Sequence, residues 1–301
     1  MSAAIDAGNG TITVPDILAR KFHPHAETQF LNESSPRKIV CLTAYDTPTA
    51  RLVDDAGVDI ILVGDSLAMV VLGHENTLSV TLDEMLHHTR AVKRGIRRAL
   101  LVADMPYGSY HIDPAESVRH ALRFIKEAGA SAVKVEGGER RMDLIARLAD
   151  AEVPVMGHVG LTPQSVLALG GFRVQGKSLA AAEQVFSDAR AVEAAGAFSI
   201  VLESIPRELA AQITRELRIP TIGIGAGPEC DGQILVLHDL IGLGSEHVPK
   251  FARRYASVGE SISRAVAEYG DDVRSGRFPS DEESFHLAGA VREQLTAARR
   301  K

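Results

Sequence analysis

Tryptophan is absent from this 301-residue chain, aromatic residues make up only 5% of it, and cysteine occurs twice. The two cysteines, Cys41 in an apolar run and Cys230 in a loop, provide neither a disulfide framework nor zinc-ligand spacing, and they suit a reducing cytoplasm. No uninterrupted apolar run is long enough to span a bilayer. The opening MSAAIDAGNG lacks the basic-then-apolar order of a secretory signal. An excess of basic charge is missing as well: the formal net charge of −6 argues against a nucleic-acid or anionic-membrane surface. These absences leave a cytoplasmic protein whose partners are small molecules.

What is present is enough apolar residue, 45% of the chain, to bury a large core. Residues 1–35 read as a polar extension in which TVPDILARKF forms a short capped helix, placed to plug the bottom of a barrel. Apolar runs then appear at Lys38–Thr43, Asp59–Val63, Ala99–Ala103, Ala132–Val135, Val153–Met156, Ser199–Leu202, Thr221–Ile224 and Ile234–Leu237. Helix-like segments separate most of them, and AGVD, AGAS and AGAF place Gly just after a helix. Eight strands interleaved with helices make a (β/α)₈ barrel, with a doubly wound sheet as the main rival. Residues 36–301 are therefore read as one barrel domain with a C-terminal helical tail. That tail consists of an amphipathic helix over Phe251–Glu268, a break at Gly276-Arg277-Phe278-Pro279, and a charged helical segment, Asp281–Lys301. Such a tail packs on a neighbouring subunit or is simply solvated.

The ends of the strands carry the chemistry. In VGDSLAMVVLG, residues 63–73, an apolar strand stops at Gly64-Asp65-Ser66, which reads either as a site at a barrel rim or as ordinary turn and capping residues. Asp104 ends the third strand. Lys134 and Glu136, two apart in the fourth, share the interior face as a structural ion pair or as part of a site. Asp65, Asp104 and Glu136 would repel one another at one rim unless a cation sat among them, and all-oxygen ligation favours magnesium. His158 follows the fifth strand as a packed residue or as a donor to a substrate carboxylate. Glu203 ends the sixth, either as an ordinary strand-end carboxylate or as a group placed to move protons. GGFRVQGK at 170–177 is a lid or a connection. The GxGxG of IGIGAGPECDGQ matches neither nucleotide fingerprint, and a close backbone approach explains it as well.

Taken in order, LTAYD, VGDSLAMVVLG, ADMPYGSY, VKVEGG, GHVGLTPQS, GGFRVQGK, VLESIP, GIGAGPECDGQILVLHDLIGL and GRFPSDEESFH resemble the ketopantoate hydroxymethyltransferase family over about Lys38 to His286. The resemblance implies a (β/α)₈ barrel of the phosphoenolpyruvate mutase/isocitrate lyase type and a homo-oligomer, typically a decamer. It implies one magnesium per subunit held by Asp65, Asp104 and Glu136. Substrate contacts would come from Asp65, Ser66, Asp104, Lys134 and His158, with Glu203 as the acid/base carboxylate. It further implies hydroxymethyl transfer from 5,10-methylenetetrahydrofolate to the 2-oxo acid 3-methyl-2-oxobutanoate, at the head of pantothenate biosynthesis. Ala68, where many members carry Gly, is a visible departure. Related enzymes that cleave or rearrange C–C or P–C bonds, and a catalytically dead barrel that only binds a 2-oxo acid, are the alternatives.

Overall fold

A computed structural model describes residues 10–21, 38–244 and 249–299. Its eight strands are β1 Ile39–Thr43, β2 Ile60–Val63, β3 Leu100–Asp104, β4 Ala132–Glu136, β5 Val155–Gly160, β6 Ser199–Glu203, β7 Thr221–Ile224 and β8 Gly232–Leu235. All neighbours pair in parallel, in sequence order, and β8 closes on β1. The rival open sheet is thereby excluded. Helices between the strands, among them Thr47–Asp55, Leu82–Gly95, Pro114–Lys126 and Leu179–Ala194, cover the outside.

The strands are apolar almost continuously because both faces are buried. One core lies between sheet and helices, with Ile61, Val63, Leu101, Ala103, Val133 and Val135 pointing outward into it. A second fills the barrel, from Ile39, Cys41, Ile60, Leu62, Leu100, Val102, Ala132 and Met156. Ile12 and Ile17 belong to this inner core, so the short helix Val14–Leu18, capped by Thr13 with a reciprocal bond to Asp16, does plug the barrel. Of the expected extension over residues 1–35, residues 1–9 and 22–35 lie outside the described residues.

Two boundaries differ from the sequence reading. Strand β5 runs on to Gly160, so His158 is inside the strand rather than after it. Gly157 permits this, since a Cβ there would lie 2.2 Å from Val192 Cγ1 on the covering helix. The C-terminal helix spans Val258–Ser275 instead of Phe251–Glu268. Its start is tied to the barrel by Tyr255 N–H, just before it, donating to Leu240 O and by Gly259 N–H, in its first turn, donating to Gly242 O. Gly276, in the left-handed region, ends it as expected. The last helix covers Gly289–Ala298, within the expected tail, whose final two residues lie outside the described residues.

Candidate active site

Along each strand, alternate residues face the barrel interior, and at the C-terminal rim this inner row changes from apolar to ionisable. In β3 the row runs Leu100, Val102, Asp104; in β4, Ala132, Lys134, Glu136; in β5, Met156, His158. The parallel register sets Asp104 against Lys134 and Glu136 against His158, and brings Gly160 beside Glu203 of β6. Asp65, Asp104, Lys134, Glu136 and His158 are all buried, and all line one cavity of about 750 Å³ together with Ser66 and Glu203. The structure thus brings together every site residue expected from the sequence.

Lys134 is the centre of the group. Its Nζ lies 2.6 Å from Asp104 Oδ1, 3.2 Å from His158 Nδ1 and 3.8 Å from Glu136 Oε1. The closer carboxylate is therefore the cross-strand Asp104, not Glu136 two residues along. His158 Nε2 contacts Glu203 Oε2 at 3.2 Å, and Nδ1 lies 3.5 Å from Glu136 Oε1. Burial and the Lys134 ammonium oppose a charged ring, yet the hydrogen bonds to Glu136 and Glu203 outweigh them and lift His158 to about 9.

The carboxylates respond to the same neighbours. Burial, then the charges of Asp104 and Glu136, hold Asp65 well above the usual carboxylate range. Burial also raises Asp104, against the pull of Lys134. Glu136 goes the other way, because bonds from His158, the Lys134 charge and Gln164 N–H overcome its burial.

The capping alternative for Gly64-Asp65-Ser66 is settled by its partners. Ser66 precedes the short helix Leu67–Val70 but makes no capping bond; its Oγ lies 2.9 Å from Tyr45 OH. Asp65 accepts a 2.9 Å bond from Gln164 Nε2, while its own N–H donates to Asp104 Oδ2 at 3.0 Å. Gly64 is required here because a Cβ would lie 2.8 Å from Ser66 Oγ. By contrast Asp46, at the end of β1, is a true cap, accepting from Thr49 N–H.

Two functional residues were not evident from the sequence. Gln164, in the turn Pro163–Ser165, donates its side-chain amide to Asp65 and to Met105 O, and its backbone N–H donates to Glu136 Oε2. Tyr110 OH donates to Gln164 Oε1 at 2.6 Å and accepts from Glu136 N–H. Both lie in quoted motifs, GLTPQS and ADMPYGSY, but an uncharged amide and a phenol carry no signal of charge clustering. From the Gly-rich loop 170–177, Phe172, Arg173 and Val174 line the cavity. The GxGxG turn serves packing: a Cβ on Gly225 would lie 2.9 Å from the Phe251 ring.

The donor chemistry suits a hard divalent cation. Where β2 to β6 end, four carboxylates, of Asp65, Asp104, Glu136 and Glu203, surround the Lys134 ammonium and the His158 imidazole. Glu136 Oε1 is buried and, among the described residues, meets only the long contacts to His158 Nδ1 at 3.5 Å and Lys134 Nζ at 3.8 Å. Among the described residues no three His, Cys, Asp or Glu side chains are spaced to hold an ion by themselves. Magnesium does not demand that, since it is usually held by one or two carboxylates with substrate oxygens and water. Part of the counter-charge is already present in Lys134.

A sequence profile of ketopantoate hydroxymethyltransferase matches residues 26–281. A 3-methyl-2-oxobutanoate hydroxymethyltransferase of Koribacter versatilis (strain Ellin345) is 63% identical over 249 residues, covering 83% of this chain and 84% of the relative. Among solved structures, 2,3-dimethylmalate lyase, a PEP mutase/isocitrate lyase superfamily member, is similar with a TM-score of 0.53 at 18% identity, over 88% of this chain and 94% of that one. A phosphonopyruvate hydrolase in complex with oxalate and Mg++ gives 0.54 at 16% identity, over 88% and 92%. At those identities the likeness is one of fold. The profile and the relative carry more: this chain belongs to the ketopantoate hydroxymethyltransferase family and is a transferase.

Proposed function

We propose that the chain transfers a hydroxymethyl group from 5,10-methylenetetrahydrofolate to 3-methyl-2-oxobutanoate, giving 2-dehydropantoate and tetrahydrofolate in the first step of pantothenate synthesis. The observation that carries the reading is the Glu203–His158–Lys134 chain of contacts, which links a carboxylate at the cavity wall to a buried cation. Asp65 and Asp104, with Glu136 beside them, would hold magnesium. When bound, the ion would supply positive charge against the oxygens of a 2-oxo acid.

Lys134, His158 and the Ser66 hydroxyl offer donors for the substrate carboxylate. Glu203 has 14% of its side chain exposed against 3% for Glu136, so it is the acid able to meet a reacting carbon in the cavity. It takes the C3 proton, and the electron pair of that C–H bond passes into the enolate. His158 Nε2 at 3.2 Å holds the carboxylate in position. C3 then bonds to the one-carbon unit as one of its two carbon–nitrogen bonds to folate breaks. Water supplies the hydroxyl oxygen as the second breaks, and the C3 proton and one proton of that water end on the two folate nitrogens.

We further propose that the protein works as a homo-oligomer. Ile262, Val266, Tyr269 and Val273 recur at helical spacing along Val258–Ser275 and are all exposed. Product formation from 3-methyl-2-oxobutanoate, assayed with and without methylenetetrahydrofolate and magnesium, tests the activity. Product that forms without the folate donor would replace this reading with bond cleavage or rearrangement.

A further inference from the structure

The polar groups proposed to bind the five-carbon 2-oxo acid line only part of the 750 Å³ cavity, a volume in the range of sites for much larger ligands. The remaining wall has a different character. Phe172 and Phe251 are 51% and 39% exposed, whereas the inner residues are at most 5% exposed, apart from the partly exposed Ser66 and Glu203. Arg173, Lys250 and Arg254 line the same region, and none of them makes an ion pair among the described residues. Asp239, also at the wall, has neither a hydrogen bond nor an ion pair among the described residues. Burial alone holds its carboxyl above the usual range. Its neighbour His238 has a buried Nδ1 with no partner. The two parts are joined by Tyr45, whose hydroxyl meets Ser66 and whose ring lies 5.4 Å from that of His238.

A wall of two aromatic rings, a carboxyl beside an imidazole nitrogen and three bases, the polar groups all without a hydrogen-bond or ion-pair partner among the described residues, has a matching ligand chemistry. Aromatic faces take a flat ring, a carboxyl and an imidazole take the N–H and N edges of a heterocycle, and guanidinium and ammonium groups take carboxylates. We infer that this outer chamber, through Phe172, Phe251, Asp239, Arg173, Lys250 and Arg254, binds the one-carbon donor as a flat pterin-like heterocycle with an anionic tail. The inference rests on the proposed hydroxymethyl transfer. It assigns residues to a co-substrate for which the sequence provides no recognisable contact, and it places donor and acceptor at opposite ends of one cavity, so that the one-carbon unit meets C3 between them.

The test uses steady-state kinetics of the full chain with methylenetetrahydrofolate and 3-methyl-2-oxobutanoate varied in turn, and equilibrium binding of tetrahydrofolate. Asp239→Asn and Arg254→Ala are each expected to raise the donor KM and the tetrahydrofolate Kd by about tenfold or more, the worth of one charge-assisted hydrogen bond. The KM for the 2-oxo acid should move far less, and Arg254→Lys should recover part of the loss, which a merely unfolded variant would not do. Donor KM and tetrahydrofolate Kd unchanged in both variants would overturn the chamber assignment. If the parent protein neither exchanges the C3 proton of the 2-oxo acid nor forms product with the donor, the proposed function itself fails. The two failures are thereby separate.

Discussion

Gln164 Nε2 and Asp65 Oδ2 lie 2.9 Å apart across 99 residues of sequence, and this bond ties the loop after β5 to the end of β2. The same side chain bonds Met105 O and Tyr110, and the Gln164 backbone N–H bonds Glu136. One residue therefore sets the spacing of two carboxylates proposed to hold the metal. Their partners in turn fix where a substrate bound between them would lie.

Replacing Gln164 by Leu keeps volume and the backbone bond to Glu136 but frees Asp65 and leaves Tyr110 OH without its acceptor. Magnesium affinity of the substrate-free protein, read by calorimetry, should fall by about 10- to 100-fold, as for other residues that orient metal ligands. Thermal stability should also drop, since three buried polar groups, Asp65 Oδ2, Met105 O and Tyr110 OH, each lose a partner at about 1–3 kcal/mol. Unchanged magnesium affinity would reduce Gln164 to a structural role.

Glu203→Gln should leave the barrel intact, because the glutamine amide can still face His158 and the position is partly exposed. Exchange of the C3 proton of 3-methyl-2-oxobutanoate with deuterated water should slow by about 10²- to 10⁴-fold, the usual contribution of a general base. Proton NMR of the substrate methine reads this without folate. Exchange at the parent rate would remove Glu203 as the base.

Much of this site was readable because the barrel repeats one rule. An apolar inner row ending in Asp104, in Lys134 and Glu136, or in His158 shows in the sequence wherever apolar alternation meets an ionisable residue. What could not be read depended on register and on loops. Lys134 prefers Asp104 because parallel pairing sets the two side by side, which spacing within one strand does not reveal. Gln164 was hidden because its importance lies in three separate partners, none near it in sequence. The start of the C-terminal helix differs for a similar reason, since Tyr255, before it, spends its N–H on Leu240 O.

His111 gives a pH prediction outside the metal site. Burial, then the Arg141 guanidinium, lower it from the ordinary 6.5 to about 4, and its Nδ1 accepts from Gly108 N–H. The folded loop thus favours the neutral ring. The unfolded chain binds the extra proton first, so this contribution to stability is complete above pH 6.5 and is lost as pH falls from there to about 4. The His111 imidazole resonance should titrate near 4, and Arg141→Gln should move the midpoint upward. A midpoint near 6.5 in the parent protein would contradict the contact.

The C-terminal helix Val258–Ser275 supplies the remaining test. Ile262, Val266, Tyr269 and Val273 are between 46% and 62% exposed, on one face of an 18-residue helix. An isolated helix of this length is marginal in water, so its stability has to come from burying that face. Covering the exposed half of such side chains is worth about 0.75–1.5 kcal/mol each, which a second copy of the chain packed along this face would supply. Val266→Glu should therefore shift sedimentation velocity toward smaller species and lower the helical signal in circular dichroism, while Glu260→Ala, at the first turn of the same helix, should do neither. A parent protein that sediments as a monomer with this helix formed would show that the face is stable in solvent, and the oligomer would lose its support.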